Sequence, residues 1–139
     1  MVIDDGSLTG LLDFAPRNAI ERRIQEARTG TVPGDTVMLE MADAELFIPS
    51  TQQIQNDGSG FRPVLLEQDS LSFVAAFTAA GRQPHDMAAY ALRMTGRHFF
   101  LRLPPGYGVI LNPGYDAQML LPPEGVTALQ QDLKKTQSS

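Results

Sequence analysis

The 139-residue chain contains no cysteine and only two histidines. Without cysteine it can form no disulfide, thiolate nucleophile, iron–sulfur cluster or Cys-ligated zinc site. It has no run of about 18 apolar residues, the length that a membrane-spanning helix requires, and residues 1–6 lack the positive and apolar regions of a secretory signal. These absences predict a cytoplasmic protein, with no membrane as partner and no cofactor.

The familiar catalytic motifs are missing as well. No serine lies in a Gly-x-Ser-x-Gly or Ser-x-x-Lys motif, and the loop at 56–60 is not followed by the lysine and helix of a phosphate-binding loop. The acidic residues form neither a calcium loop nor a recognisable pair of catalytic carboxylates. The sequence therefore predicts that the protein is not an enzyme.

The bulk composition is that of an ordinary globular protein, with 42% hydrophobic and 19% charged residues. The formal net charge of −5 opposes attraction to nucleic acid, because the long-range field repels polyanions. A length of 139 residues suits one domain. We assign residues 1–16 to an N-terminal arm, 17–135 to the domain and 136–139 to a tail, and expect no nucleic-acid partner.

A short apolar run near the C-terminus organises the rest of the domain. Tyr107–Leu111 is too short for a helix and rich in β-branched residues, which predicts a strand buried on both faces. Asn112-Pro113-Gly114 then has the residues of a type II turn. A further strand is predicted at 117–121, and a helix opened by Pro122-Pro123-Glu124 follows it.

The N-terminal part of the domain is predicted to form two helices and a strand. Asn18, with Glu21 three residues later, has the form of a capping box, and Gly30 ends that helix. A short helix is predicted at 36–42, with Asp35 as its N-cap. A strand follows at 44–48 and is expected to end at Pro49.

The middle of the chain is predicted to form a hairpin, a helix and a strand. Segments 64–67 and 71–77 read as an antiparallel hairpin, the second strand of which is central in the sheet. A helix starts at Pro84, carries an apolar face through Met94 and stops at Gly96. Alternation at 99–103 predicts a strand. The fold is then one α/β (α+β) domain, with a mixed sheet of about five or six strands and helices packed against it.

The candidate site residues each have a structural alternative. His85 and Asp86 could serve a metal site or acid–base chemistry, but a first-turn carboxylate is favoured by the helix dipole in any case. A second set of cationic residues could hold an anion or a partner, although a solvated sheet edge is the commoner arrangement. Its members are Arg62, Arg82, Arg97, His98 and Arg102.

Three further surfaces remain open from the sequence. The arginines of the first helix form either a solvated face, with Arg22 paired to Glu26, or a docking surface for an acidic partner. Tyr90, Tyr107 and Tyr115 line a pocket or simply pack. Phe47, or the apolar alternation at 37–41, could leave a patch that pairs subunits.

Three motifs in order resemble the SseB-like N-terminal domain family, named for enhanced serine sensitivity. They are Glu-Leu-Phe-Ile-Pro at 45–49, Phe-Val-Ala-Ala-Phe-Thr at 73–78 and Gly-Val-Ile-Leu-Asn-Pro-Gly at 108–114. The similarity spans residues 17–133. Ala79 stands where the family usually has serine, and Ile48 where it more often has valine; both changes are small in size.

The resemblance implies a small α/β module, common in actinobacterial proteins, with no settled biochemical activity and no accepted catalytic residues. Its recurring residues, among them Asn112, Pro113 and Gly114, are those of a structural turn. We therefore expect a non-enzymatic regulatory or protein-interaction module with an unidentified protein partner. One alternative is a regulatory domain that binds a small molecule or anion, and another is an accessory protein of a bacterial secretion system.

Overall fold

A computed structural model describes residues 15–57, 59–84, 86–116 and 118–138, so the predicted arm lies almost wholly outside the described residues. The described helices are α1 (Ala19–Arg28), α2 (Gly34–Glu40), α3 (Gly96–Arg102) and α4 (Pro123–Ser138), and a 3₁₀ turn (Met41–Asp43) follows α2. The strands are β1 (Glu45–Ser50), β2 (Leu65–Gln68), β3 (Leu71–Ala76), β4 (Tyr90–Thr95), β5 (Tyr107–Leu111) and β6 (Met119–Leu121). None of these helices has the length and apolar character needed to cross a bilayer.

The six strands form two sheets that meet at one edge. A four-stranded sheet has the order β2-β3-β5-β6, with β3 and β5 parallel and the outer pairs antiparallel. Strands β1 and β4 pair antiparallel in a second sheet. Phe47 of β1 exchanges backbone hydrogen bonds of 2.9 and 2.8 Å with Phe77, just past β3, and so joins the sheets. The predicted α/β domain with about five or six strands is confirmed, and the six strands of the described residues are divided between two sheets and not joined in one.

The helices cover one face of the four-stranded sheet. Val74, Val109 and Leu111 on that face belong to the main core together with buried side chains of all four helices. The other face carries a smaller cluster of Phe73, Ala75 and Ile110. The prediction that the strands around Val74 and Val109 are central and buried is confirmed, because both lie inside the sheet with neighbours on either side.

Local sequence signals correctly predicted the first helix and the turn at Asn112-Pro113-Gly114. The side chain of Asn18 accepts a hydrogen bond from the backbone of Glu21, and Gly30, with a φ of 83°, follows the end of α1 in the left-handed conformation. At the predicted type II turn, Gly114 has a φ of 89° and the amide of Tyr115 donates to the carbonyl of Asn112 at 3.1 Å. The short helix predicted at 36–42 exists as α2, but Pro33 and not Asp35 is its N-cap.

The strand expected to end at Pro49 continues through it to Ser50. Phe47 directs its backbone groups to Phe77, on the edge of β1 away from β4. Pro49 lies two residues later and points its nitrogen the same way, because backbone groups alternate along a strand. A proline at that position removes no hydrogen bond to β4, so the prediction that it stops the strand was wrong.

The largest error concerns residues 84–103. The second half of the helix predicted from Pro84 to Gly96 is strand β4, and the predicted strand at 99–103 lies mostly in helix α3, which begins at Gly96. Thr95 caps α3 by accepting from the amide of His98. The helix could start only with glycine, since a Cβ on residue 96 would collide with the backbone carbonyl of Met41. Helical spacing of apolar residues before Gly96 was therefore coincidental.

The C-terminal elements follow the prediction. Strand β6 lies within the segment predicted at 117–121, and α4 begins at Pro123. Val126, Leu129 and Leu133 are buried as the helix's apolar stripe. Helix α4 continues to Ser138, into the residues assigned to the tail.

Candidate functional site

The most elaborate polar arrangement is a buried ionic cluster formed by Glu21, Thr78, Arg82 and Asn112. Arg82 donates to both carboxylate oxygens of Glu21, from Nε at 2.6 Å and from Nη2 at 2.7 Å. The two side chains are 1% and 0% exposed. Bidentate pairing of this kind gives a guanidinium and a carboxylate their strongest contact, so both charges are compensated within the protein.

The remaining acceptor capacity of Glu21 is also used. Thr78 Oγ1 donates to Oε2 at 2.5 Å, and the backbone amide of Arg17 donates to Oε1 at 2.8 Å. Burial by itself raises the pKa of Glu21, but the hydrogen bonds from Arg82, Thr78 and Arg17 outweigh it and lower the pKa below its ordinary value. The carboxylate is thus held charged, with no oxygen left for a substrate.

Thr78 and Asn112 join this ion pair to the sheet. Asn112 accepts from the backbone amide of Thr78 at 3.1 Å through Oδ1 and donates to its hydroxyl at 3.0 Å through Nδ2. Both residues follow parallel strands, β3 and β5, so they reach the same edge of the sheet. Asn112 adopts a φ of 54°, a left-handed conformation that asparagine tolerates better than most residues. The predicted turn residue is therefore also part of the cluster.

Arg82 anchors a second layer of contacts. Its Nη2 donates to the carbonyl of Ala15 at 2.6 Å, and its own carbonyl accepts from the Tyr115 hydroxyl at 2.7 Å. The guanidinium lies 5.0 Å from the centre of the Tyr115 ring, within cation–π distance. The hydrogen bonds from Arg82 to Glu21 raise the pKa of the guanidinium further above its already high value. The cluster ties α1, the end of β3 and the turn after β5 into one unit.

The predicted anion patch is therefore divided. Arg82 is 2% exposed and committed to Glu21. Arg62 donates through Nε to Gln52 at 2.7 Å, and Arg97 donates to the carbonyl of Leu133 at 3.3 Å. An anion at the protein surface could not use Arg82.

The other two members of the patch come together on α3. His98 and Arg102 are both exposed and stand four residues apart, which makes them neighbours on one helix face and not on a strand. Arg102 makes no ion pair with any residue of the described ranges. Arg102 lies at the edge of a cleft. Anion binding by Arg102 stays a prediction, and this cleft is where it would occur.

This cleft, the Arg102 cleft, has a volume of about 370 Å³ and opens between the two sheets and α3. Its walls come from the chain before and within β2, from β3, from β4, from α3 and from the segment that leads into β5. The lining residues are Phe61, Pro63, Leu65, Val74, Leu92, Met94, Phe99, Arg102, Leu103, Pro104 and Tyr107. Ten of these eleven are uncharged and mostly apolar, and Arg102 is the one charged residue.

A second opening, the Leu39 groove, lies between α2, β6 and α4. It has a volume of about 400 Å³, and its lining residues include Leu39 of α2, which is 42% exposed, and Met119 and Leu121 of β6. Asp35 and Asp132 also line it. The sequence left open an apolar patch at Phe47 or at 37–41; within 37–41, Leu39 is exposed, whereas Val37, Met38 and Met41 are buried.

A further depression, of about 780 Å³, lies beside the start of α1, and its ionic side chains are largely paired. Arg23 donates to Glu26 at 2.6 Å and to Glu40 at 2.8 Å. Glu26 therefore bonds Arg23, whereas the sequence paired it with Arg22. The charged surface of α1 is consistent with the solvated face that the sequence also allowed.

Within the described ranges, no three histidine, aspartate or glutamate side chains come together as metal ligands would. His85 lies outside those ranges, so the suggested role of His85 and Asp86 stays a prediction. Tyr115 packs in the core and Tyr107 lines the Arg102 cleft. Sequence reasoning missed Glu21 and Thr78 as cluster members. Had β3 and β5 been recognised as parallel, the polar residues after both strands would have been expected to meet.

The family comparison agrees with the motifs. The model of the SseB protein N-terminal domain matches residues 20–128, well over half of the chain. The chain matches no curated protein and no solved structure at a significant level. The chain therefore belongs to the family of SseB protein N-terminal domains.

Proposed function

We propose that this SseB-family domain is a non-enzymatic protein-interaction module, and that the Leu39 groove is its docking surface. The observation that carries the proposal is a groove of about 400 Å³ in which Leu39, 42% exposed, lies beside the apolar residues Met119 and Leu121 of β6. Single exposed leucines are common on protein surfaces, but one that lines a concavity together with other apolar residues offers a contiguous apolar contact. The chemically richest cluster, by contrast, is sealed and internally paired.

The groove also indicates what kind of partner it suits. Its floor is apolar, while Asp35 and Asp132 bring negative charge to its lining. A partner segment with apolar side chains flanked by lysine or arginine complements both features. Charge complementarity of this kind speeds association and disfavours wrong partners. The net charge of −5 works in the same direction.

The test compares groove variants with a matched surface variant. Leu39→Asp and Ala128→Asp place a charge in the groove, whereas Leu71→Asp alters a leucine that is 39% exposed and outside it. Tagged wild-type protein and the three variants are used for pull-down from native lysate, followed by quantitative mass spectrometry. We expect a reproducible partner that both groove variants lose and that Leu71→Asp retains. Absence of any reproducible partner at all salt concentrations contradicts the proposal.

Self-association is measured on the same proteins by sedimentation velocity. If the wild type forms a dimer that Leu39→Asp abolishes and Leu71→Asp does not, the groove pairs two copies of this chain. That result would assign the groove to self-association and not to binding of a different protein. A wild type that stays monomeric, together with a partner lost in the groove variants, supports the proposal.

A second candidate, a regulatory domain that binds a small molecule or anion, is favoured by the position of Arg102. An exposed guanidinium beside an apolar cleft is a common way to hold an amphipathic anion. A thermal-shift screen of phosphates, nucleotides, carboxylates and amino acids including serine tests this candidate. A flat response to all of them removes it.

A further inference from the structure

We infer that the Arg102 cleft binds a small apolar carboxylate, with the carboxylate at Arg102 and the apolar body between the sheets. The inference goes beyond the docking proposal, because it concerns a different surface. It gives the second candidate function a ligand class.

The dimensions of the cleft suit a small molecule better than a protein segment. Its volume of about 370 Å³ falls at the lower end of the range of roughly 300–1,000 Å³ found for small-ligand pockets. A standard protein interface buries about 800 Å² on each partner and involves about 20–30 residues a side. Eleven residues around one cleft provide a much smaller contact.

The walls of the cleft select an apolar ligand. Leu65 of β2 and Leu92 of β4 face it from the two sheets, and Phe99 of α3 closes one side. Water that contacts such walls is released when an apolar group replaces it, which favours binding. Met94 adds an adaptable surface, since its unbranched thioether fits ligands of varied shape.

The charge in the cleft selects a carboxylate. Arg102 is the one charged lining residue, no acidic side chain is among the lining residues, and Arg102 has no ion pair within the described part of the chain. A guanidinium binds a carboxylate through two parallel hydrogen bonds. A phosphate has three acceptor oxygens and up to two charges, which one arginine among apolar walls does not satisfy.

The experiment is calorimetric titration with straight-chain carboxylates of four to eight carbons, kept below the concentrations at which they form micelles. We expect affinity to rise about fourfold with each methylene, from about 0.8 kcal/mol per buried group, until the cleft is full. The alcohols of equal length should bind at least tenfold more weakly. Isolated surface binding shows no such dependence on chain length.

Two arginine variants assign the head group. Arg102→Met retains an apolar stem and removes the charge, so the preference for carboxylate over alcohol should disappear. Arg93→Met is the matched control, because Arg93 is an exposed arginine of β4 that does not line the cleft. It should retain the full preference. A cleft-filling change, Leu92→Trp, should abolish binding of carboxylate and alcohol alike.

The inference is overturned if wild-type protein binds alcohols as well as carboxylates, shows no dependence on chain length, or binds none of them at millimolar concentration. The last result would mean that the Arg102 stem merely covers the apolar walls. Tighter binding by an acetylated peptide that ends in Leu-Leu than by octanoate would assign the cleft to a protein C-terminus instead. Because Leu39→Asp should bind carboxylates normally and Arg102→Met should keep its pull-down partner, failure of either proposal leaves the other standing.

Discussion

Arg82 and Arg102 were candidates for one patch that could bind an anion or a partner, but they stand in opposite environments. Arg82 is 2% exposed, donates hydrogen bonds to Glu21 and Ala15, and lies 5.0 Å from the centre of the Tyr115 ring. Arg102 is exposed beside an apolar cleft, without an ion pair in the described part of the chain. A cation whose partners are already inside the protein holds the fold together, while one without them keeps its capacity to bind.

The difference follows from where the chain places each residue. Arg82 comes after β3 and beside the start of α1, where the Glu21 carboxylate and the Ala15 carbonyl are within reach of its guanidinium. Arg102 ends α3, where Leu103 turns to an extended conformation and the chain leaves for β5. The two arginines therefore make opposite predictions for stability and for binding.

The largest expected effect is on stability. Arg82→Met leaves Glu21 buried without its cation, and loss of one partner of a buried pair costs about 3–5 kcal/mol. Arg102→Met should change the free energy of unfolding by no more than about 0.5 kcal/mol. Urea unfolding followed by circular dichroism measures both.

A double variant controls for a general failure to fold. Glu21→Met combined with Arg82→Met removes both charges, and replacing a buried pair by apolar residues restores much of the stability. If Arg82→Met is no less stable than Arg102→Met, the cluster does not hold the fold together and the comparison fails.

A hydroxyl in each region tests the same difference on a smaller scale. Thr78 Oγ1 donates to Glu21 and accepts from Asn112. Thr78→Val should therefore lower the free energy of unfolding by about 1–3 kcal/mol, because the buried side chains of Glu21 and Asn112 each lose a hydrogen-bond partner. Tyr107→Phe removes a hydroxyl from a residue of the Arg102 cleft and should hardly change the free energy of unfolding. Equal losses in thermal and urea unfolding would show that burial does not distinguish the two regions.

The strands and turns were predictable where the signal was local. β5 and its Asn-Pro-Gly turn, the hairpin of β2 and β3, and the apolar stripe of α4 depend on residues close in sequence. The secondary structure of residues 84–103 was not predictable in this way, because apolar residues at helical spacing happen to lie on a strand. The decisive constraint is the contact between Gly96 and the carbonyl of Met41, 55 residues earlier, which no local pattern contains.

The candidate sites were less predictable than the fold. Glu21 meets Thr78 and Arg82 across 57 and 61 residues of chain, and its capping-box position concealed that role. Arg102 was named as a candidate member of the cationic patch, but it was placed on a strand, whereas it lies in α3. The cleft beside it exists only because β2, β4 and α3 come together in the tertiary structure.

The pH dependence of stability tests whether Glu21 is held charged. Its folded pKa lies below its unfolded pKa of about 4.3, so its stabilisation is complete above the unfolded value and is lost as pH falls through the folded one. Glu21→Gln should be less stable than wild type at pH 6, and the difference should narrow from pH 5 downward. Urea midpoints at successive pH values measure this.

Glu40 supplies the control for that measurement. Its hydrogen bonds with Arg23 also lower the pKa of Glu40, but the pair is exposed. We expect Glu40→Gln to show a smaller difference of the same sign. If Glu21→Gln and wild type lose stability in parallel between pH 5 and 3, the buried carboxylate does not have a lowered pKa in the folded state.

Salt gives the smallest expected effect and separates buried from exposed charges. Arg23 bonds Glu26 and Glu40 with a side chain that is 37% exposed, and at 1 M salt the screening length falls to about 3 Å. Arg23→Gln should lower the melting temperature slightly at low salt and have no measurable effect at 1 M sodium chloride. The loss caused by Arg82→Met should persist in both conditions, because ions do not reach a pair that is 1% and 0% exposed. If salt erased both losses equally, the Glu21–Arg82 pair would be acting as a surface salt bridge, and the contrast between Arg82 and Arg102 would no longer depend on burial.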